Sequence, residues 1–119
     1  MALTPGGPVV VVCGSREWAD AAPIRAHLYE LQPSIVIEGG ALGADRLARI
    51  EAQGLGIHVA TVAAQWERYR KAAGPRRNLA MIDLRPDRVL AFWVGGSPGT
   101  KHMIDLAKKA GVAVEVVRP

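Results

Sequence analysis

Ser34-Ile35-Val36-Ile37-Glu38-Gly39-Gly40-Ala41-Leu42-Gly43-Ala44-Asp45 is the stretch that decides the fold. A short β-branched run passes straight into a glycine-rich turn. From Ala44 the spacing changes to that of a helix, with Ala44, Leu47, Ala48 and Ile50 as its apolar stripe. A strand, a tight turn and a helix in immediate succession are half of a βαβ unit.

The same alternation repeats on both sides. Val9-Val10-Val11-Val12, Ile57 to Val62, Arg88 to Trp93 and Val112 to Val117 are further apolar runs. Near-continuous Val/Ile runs predict strands buried on both faces, as in a parallel sheet. Ile24, Leu28 and Leu31 stand at helical spacing between Pro23 and Pro33. A short helix is expected from about Pro75 to Asp83, and another along Met103, Leu106, Ala107 and Ala110, closed by Gly111. The prediction is an α/β, Rossmann-like, doubly wound domain of five parallel strands and four helices over residues 8–119. Residues 1–7 are expected to be a flexible N-terminus.

Composition bounds the function classes. Half of the 119 residues are hydrophobic, which excludes a disordered chain. No apolar run reaches the ~18 residues of a membrane helix, so no membrane partner is expected. Met1 to Pro8 lacks the basic start and apolar core of a secretory signal, and Cys13 is the sole cysteine. These features predict a cytoplasmic protein without disulfides. Lys and Arg outnumber Asp and Glu by 15 to 11, a mild tilt toward phosphate-bearing partners. The densest basic stretch holds Arg68, Arg70, Lys71, Arg76 and Arg77. His27, His58 and His102 have no metal-ligand spacing, so no metal and no cofactor are expected.

Ligands of doubly wound sheets bind beyond the carboxyl ends of the strands. Three of those exits are rich in glycine: Cys13-Gly14-Ser15-Arg16, Glu38 to Asp45 through Gly39, Gly40, Ala41 and Gly43, and Gly95-Gly96-Ser97-Pro98-Gly99-Thr100. Glycine lets a ligand approach the backbone, and a following helix N-terminus offers free N–H groups to a phosphate. Each loop alone is equally well read as a tight turn, with Thr100 an ordinary N-cap. Three at one sheet edge favour the ligand. The spacing is neither a Walker A loop nor a GxGxxG fingerprint.

Arg16 is a candidate phosphate clamp. Asp45 is a candidate ribose acceptor or a partner that orients Arg16; an Arg16–Asp45 pair that merely joins two loops is an equal alternative. Arg76, Arg77 and Asn78 open the third helix, where a ligand role competes with a solvated basic turn. Trp66 and Tyr69 stand three apart, so on a helical turn they share a face. They are candidates for a lid stacking on a base, although packing or an oligomer contact is the commoner meaning of such a pair. Cys13 reads as buried filling.

Gly14-Ser15-Arg16, Gly39-Gly40-Ala41-x-Gly43-Ala44-Asp45, Trp66-x-x-Tyr69, Ala73-Gly74-Pro75-x-Arg77-Asn78-x-x-Met81 and Gly95-Gly96-x-x-Gly99-Thr100 occur in this order. Together they resemble the YspA/YpsA-related branch of the SLOG superfamily, from about Val9 to Val117. That superfamily includes the DNA-processing protein DprA and the LOG phosphoribohydrolases, which release a base from a nucleoside 5′-monophosphate. The resemblance implies a nucleotide or nucleotide-derived ligand across the glycine loops, with phosphate at Gly95 to Thr100, bound by a sensing domain. It matches Arg77, followed by Met81, to the arginine of the LOG enzymes. Their catalytic glutamate position is occupied by Met103, and a thioether cannot act as a general acid or base. A LOG-like N-glycosidase would therefore need Glu38 or Asp45 beside Arg77. DprA-like single-strand binding is the weakest alternative, because the cations form no stripe. LOG-like relatives commonly pair, so a homodimer is a further expectation.

Overall fold

The computed structural model describes residues 6–119. The expectation of a flexible N-terminus falls, for residues 1–5, outside the described residues; Gly6 is an exposed turn residue. Beyond it the chain runs β1 (Val9–Gly14), α1 (Ala21–Leu31), β2 (Ile35–Glu38), α2 (Ala44–Gly54) and β3 (His58–Thr61). It continues through α3 (Trp66–Tyr69), a 3₁₀ turn (Arg70–Ala72), α4 (Ala73–Asp83), β4 (Arg88–Phe92), α5 (Pro98–Lys109) and β5 (Ala113–Val117). All strand pairings are parallel.

The strands lie side by side in the order β3-β2-β1-β4-β5. The fold is thus the predicted Rossmann-like α/β sheet, with four long helices and the short α3. Strand alternation sends successive residues of β1 to opposite faces. Val10 and Val12 pack with Ile24 and Leu28 of α1 and Ala44, Ala48 and Ala52 of α2. Val11 and Cys13 pack with Met81 and Ile82 of α4 and Met103, Ile104 and Ala107 of α5. Full burial of one Val or Leu side chain stabilises by ~1.5–3 kcal/mol, so each face of β1 anchors its own helix layer.

Burial on both faces holds for β1, β2 and β4 but not for the two edge strands. His58 and Thr61 of β3, and Ala113 and Val116 of β5, are exposed. An edge strand has one neighbour, and its outer residues outrun the helices that cover the sheet. The third long helix starts at Ala73 rather than Pro75, because Gly74 and Pro75 fit a first turn, where backbone N–H groups lack partners anyway.

The order reverses between β1 and β4: the chain goes outward to β2 and β3 on one side and to β5 on the other. The crossovers leave β1 and β4 on opposite faces and open a crevice above their carboxyl ends. The glycine-rich exits meet at that crevice.

Candidate functional site

The crevice is a cleft of about 790 Å³. Its floor and walls come from every strand exit named above: Cys13, Gly14 and Arg16 after β1, Gly39 to Leu42 after β2, and Ser97 to Thr100 after β4. Asp45 of α2 and Arg77, Asn78 and Met81 of α4 complete it, with Trp66, Lys71 and His102 around them. Among the described residues the buried polar side chains are Ser15, Glu38, Asp45, Asn78 and Thr100, all beside this crevice. Buried polar groups cost free energy unless paired, so each of them calls for a partner at this edge.

The exit of β2 is a bonded network. The Asp45 carboxylate turns back from the first turn of α2, and its Oδ2 accepts from Gly39 N at 3.1 Å and Ala41 N at 3.2 Å. Arg77 crosses from α4, donating from Nη1 to Gly39 O at 2.7 Å and from Nε to Asn78 Oδ1 at 3.0 Å. Gly39 is held between them. A Cβ there would lie 2.8 Å from Arg77 Cζ and 2.9 Å from Asp45 Oδ2. Gly43 has φ +76°, and a Cβ on it would run into the carbonyl oxygens of Ser15 and Arg16. Gly43 therefore excludes a side chain by its backbone, whereas one at Gly39 would have to displace Arg77 and Asp45.

Burial pushes the Asp45 carboxyl up to about 6, while the Gly39 and Ala41 N–H groups and the Arg77 guanidinium hold it back. The same burial pushes the Cys13 thiol far above its ordinary range, with nearby Asp45 adding to the effect. Cys13 is therefore an unreactive wall residue at neutral pH.

Asp45 and Arg16 form no ion pair, so neither the loop-joining pair nor the orienting role describes Asp45. Its partners are backbone N–H groups. Among the described residues no hydrogen bond or ion pair holds the Arg16 guanidinium, which is exposed at the cleft.

Several sequence-predicted residues lie just behind the cleft. Ser15 is fully buried; its Oγ donates to Val94 O at 2.8 Å and accepts from Val94 N at 2.9 Å, tying the exits of β1 and β4 together. Glu38 is also fully buried, accepting from Gly40 N at 2.6 Å and from the Thr61 hydroxyl. It braces β2 against β3 and does not line the cleft. Gly43, Gly95 and Gly96 stand off the walls too. Met103 is fully buried in the core between α4, α5 and the sheet.

At the β4 exit, Ser97 rather than Thr100 is the N-cap residue, followed by Pro98 at the first helical position. Thr100 is in the first turn of α5, and its hydroxyl lies 2.9 Å from Ser97 Oγ. Trp66 and Tyr69 share one turn but part company. Trp66 is exposed at the cleft mouth, whereas Tyr69 lies outside, with the guanidiniums of Arg76 and Arg68 4.1 and 5.1 Å from its ring centre. Trp18 is core, edge-on to Phe92. Sequence spacing gave no ligand role to Met81 or His102, which the packing of α4 against α5 brings to the walls; Lys71 of the basic stretch reaches them from the 3₁₀ turn.

The architecture is that of a Rossmann-like α/β fold with glycine-rich exits converging on a cleft at its switch point. A model of the YspA, cpYpsA-related SLOG family matches residues 8–69. The chain is also 36% identical over 115 residues to the Gene 61 protein of Mycobacterium phage D29, an alignment covering 88% of this chain and 92% of that protein. The chain belongs to the YspA, cpYpsA-related SLOG family. Among the described residues no helix is long and apolar enough to cross a membrane.

Proposed function

We propose that the protein binds a nucleotide or nucleotide-derived ligand in this cleft and acts as a binding or sensing domain. The observation that carries the reading is the open first turn of α5. Gly99 lines the cleft, and a Cβ built there would meet nothing within 4 Å. That space adjoins unpaired helix N–H groups, the geometry that suits a phosphate. The uncommitted Arg16 supplies an exposed cation, and exposed Trp66 offers an aromatic surface at the mouth.

A thermal-shift screen of nucleoside monophosphates, dinucleotides and ADP-ribose-type compounds tests the reading. A ligand that binds the folded state raises the melting temperature by mass action. A shift that disappears in Gly99→Asp is expected; a shift of equal size in that variant would contradict the site.

One observation favours a second reading, hydrolysis of an N-glycosidic bond. Asp45 is the carboxylate on the cleft wall, with a pKa raised to about 6 and Arg77 beside it. A carboxyl group with such a pKa can donate a proton to a leaving base near neutrality. Glu38 lacks access and Met103 is buried in the core, so this chemistry rests on Asp45 alone. Release of free base from a nucleotide, lost in Asp45→Asn, is its expected signature.

A further inference from the structure

His102 reaches the cleft from the second turn of α5, three residues after Gly99 and so on the same helix face. Its ring is held by a side chain whose own orientation is fixed. Arg77 Nε can only donate, so the Asn78 atom 3.0 Å away must be the carbonyl Oδ1. Gly99 O can only accept, so the Asn78 atom 3.2 Å away must be Nδ2. A flipped amide would lose both bonds at a site only 5% exposed, leaving buried polar groups unpaired.

Asn78 Nδ2 also lies 3.0 Å from His102 Nδ1. With the amide oriented by its other neighbours, Nδ2 donates and Nδ1 accepts. The neutral ring therefore carries its proton on Nε2. One buried amide thus links Arg77, the first turn of α5 and His102, and leaves the imidazole a single polar group to offer the cleft.

We propose that His102 is a ligand-binding residue whose Nε2–H donates to an acceptor oxygen of the bound molecule, selecting a phosphoryl or similar acceptor-only group. The assignment rests on the nucleotide reading and names a contact within it. The exposed Arg16 guanidinium sits on a long side chain that no hydrogen bond or ion pair among the described residues holds, whereas an imidazole N–H of fixed tautomer asks for a lone pair at one place. An ammonium group presented there has no lone pair to accept that N–H and would be rejected.

Two measurements on the full chain test this. A long-range ¹H–¹⁵N spectrum of the imidazoles, with the His102 signal identified by its loss in His102→Gln, should show the Nε2–H form. An Nδ1–H form would overturn the proposal without any ligand. Calorimetry then uses AMP, ADP-ribose and inorganic phosphate as probes of the wild type, His102→Gln, His102→Asn and Gly99→Asp. The glutamine amide nitrogen can replace Nε2, so His102→Gln should bind within about threefold of wild type. The asparagine amide reaches only the place of Nδ1, so His102→Asn should bind about tenfold more weakly, the size of one lost hydrogen bond. Binding that is lost in Gly99→Asp but unchanged in His102→Asn, or weakened alike in both His102 variants, would overturn the role of His102 and leave the nucleotide reading standing. No binding of any probe to the wild type would overturn both.

Discussion

The β2–α2 and β4–α5 loops are both rich in glycine, and they use it for opposite reasons. In the first, Gly39 is wedged between Arg77 and Asp45, and Gly43 lies against the carbonyls of Ser15 and Arg16. In the second, Gly95, Gly96 and Gly99 have nothing within 4 Å of where a Cβ would sit. The first loop spends its Gly39 and Ala41 N–H groups on Asp45. The second opens a helix whose N-cap makes no side-chain bond to the backbone. One glycine loop is filled by the protein, and the other leaves room. Glycine content alone therefore does not say which loop has room for a ligand; what a side chain would meet there does.

Substitutions can break that contrast. The largest effect is expected from Gly43→Ala. Positive φ and overlap with two carbonyls should together lower stability by about 3–4 kcal/mol, measured by denaturant unfolding. A loss below 1 kcal/mol would mean that the loop is as open as its counterpart.

Next is the pH dependence that Asp45 imposes. Its folded-state pKa is raised from the ordinary 3.8 to about 6, so between those values the folded protein holds a proton that the unfolded chain has released. Stability should accordingly fall as pH rises through that window, by at most ~3 kcal/mol. Asp45→Asn should lack this component, and its melting temperature relative to wild type should climb between pH 4 and 6.5. Parallel curves for the two proteins would remove the buried-carboxylate account.

The opposite loop should behave otherwise. Gly99→Asp places a carboxylate in open space in the first turn of a helix, where the dipole tolerates it, so stability should change by less than ~0.5 kcal/mol. Nucleotide affinity should nevertheless fall at least tenfold, about 1.4 kcal/mol. Smallest is Tyr69→Ala. Loss of its stacking with Arg76 should cost ~0.5–1 kcal/mol and leave ligand affinity unchanged, since Tyr69 lies off the cleft. A change in affinity with Tyr69→Ala but not with Trp66→Ala would reverse the roles assigned to the two aromatics.

The strands and long helices were legible in the sequence because each is a local pattern: Val9 to Val12 and Ile24-Leu28-Leu31 carry their period in a few residues. The meeting of the glycine exits at one edge was legible too, because in a parallel doubly wound sheet all strand ends leave on the same side. What the sequence could not separate was Glu38 from Asp45, two carboxylates seven residues apart on either side of one loop. Their difference is a matter of which backbone N–H each one reaches, and that depends on the path of Gly39 to Gly43. His102 was invisible for a related reason: its partner, Asn78, is on another helix, and no spacing along the chain encodes that meeting.

The most direct test of the account is an amide ¹H–¹⁵N titration of the protein with whichever nucleotide stabilises it most in the thermal screen. If the β4–α5 loop is the one left open for a ligand, Gly99 and Thr100 should shift most, and Gly39 and Ala41, already bonded to Asp45, should shift less. Shifts confined to the opposite sheet edge, around Arg85 and Gly111, or largest at Gly39 and Ala41 with Gly99 unmoved, would contradict it.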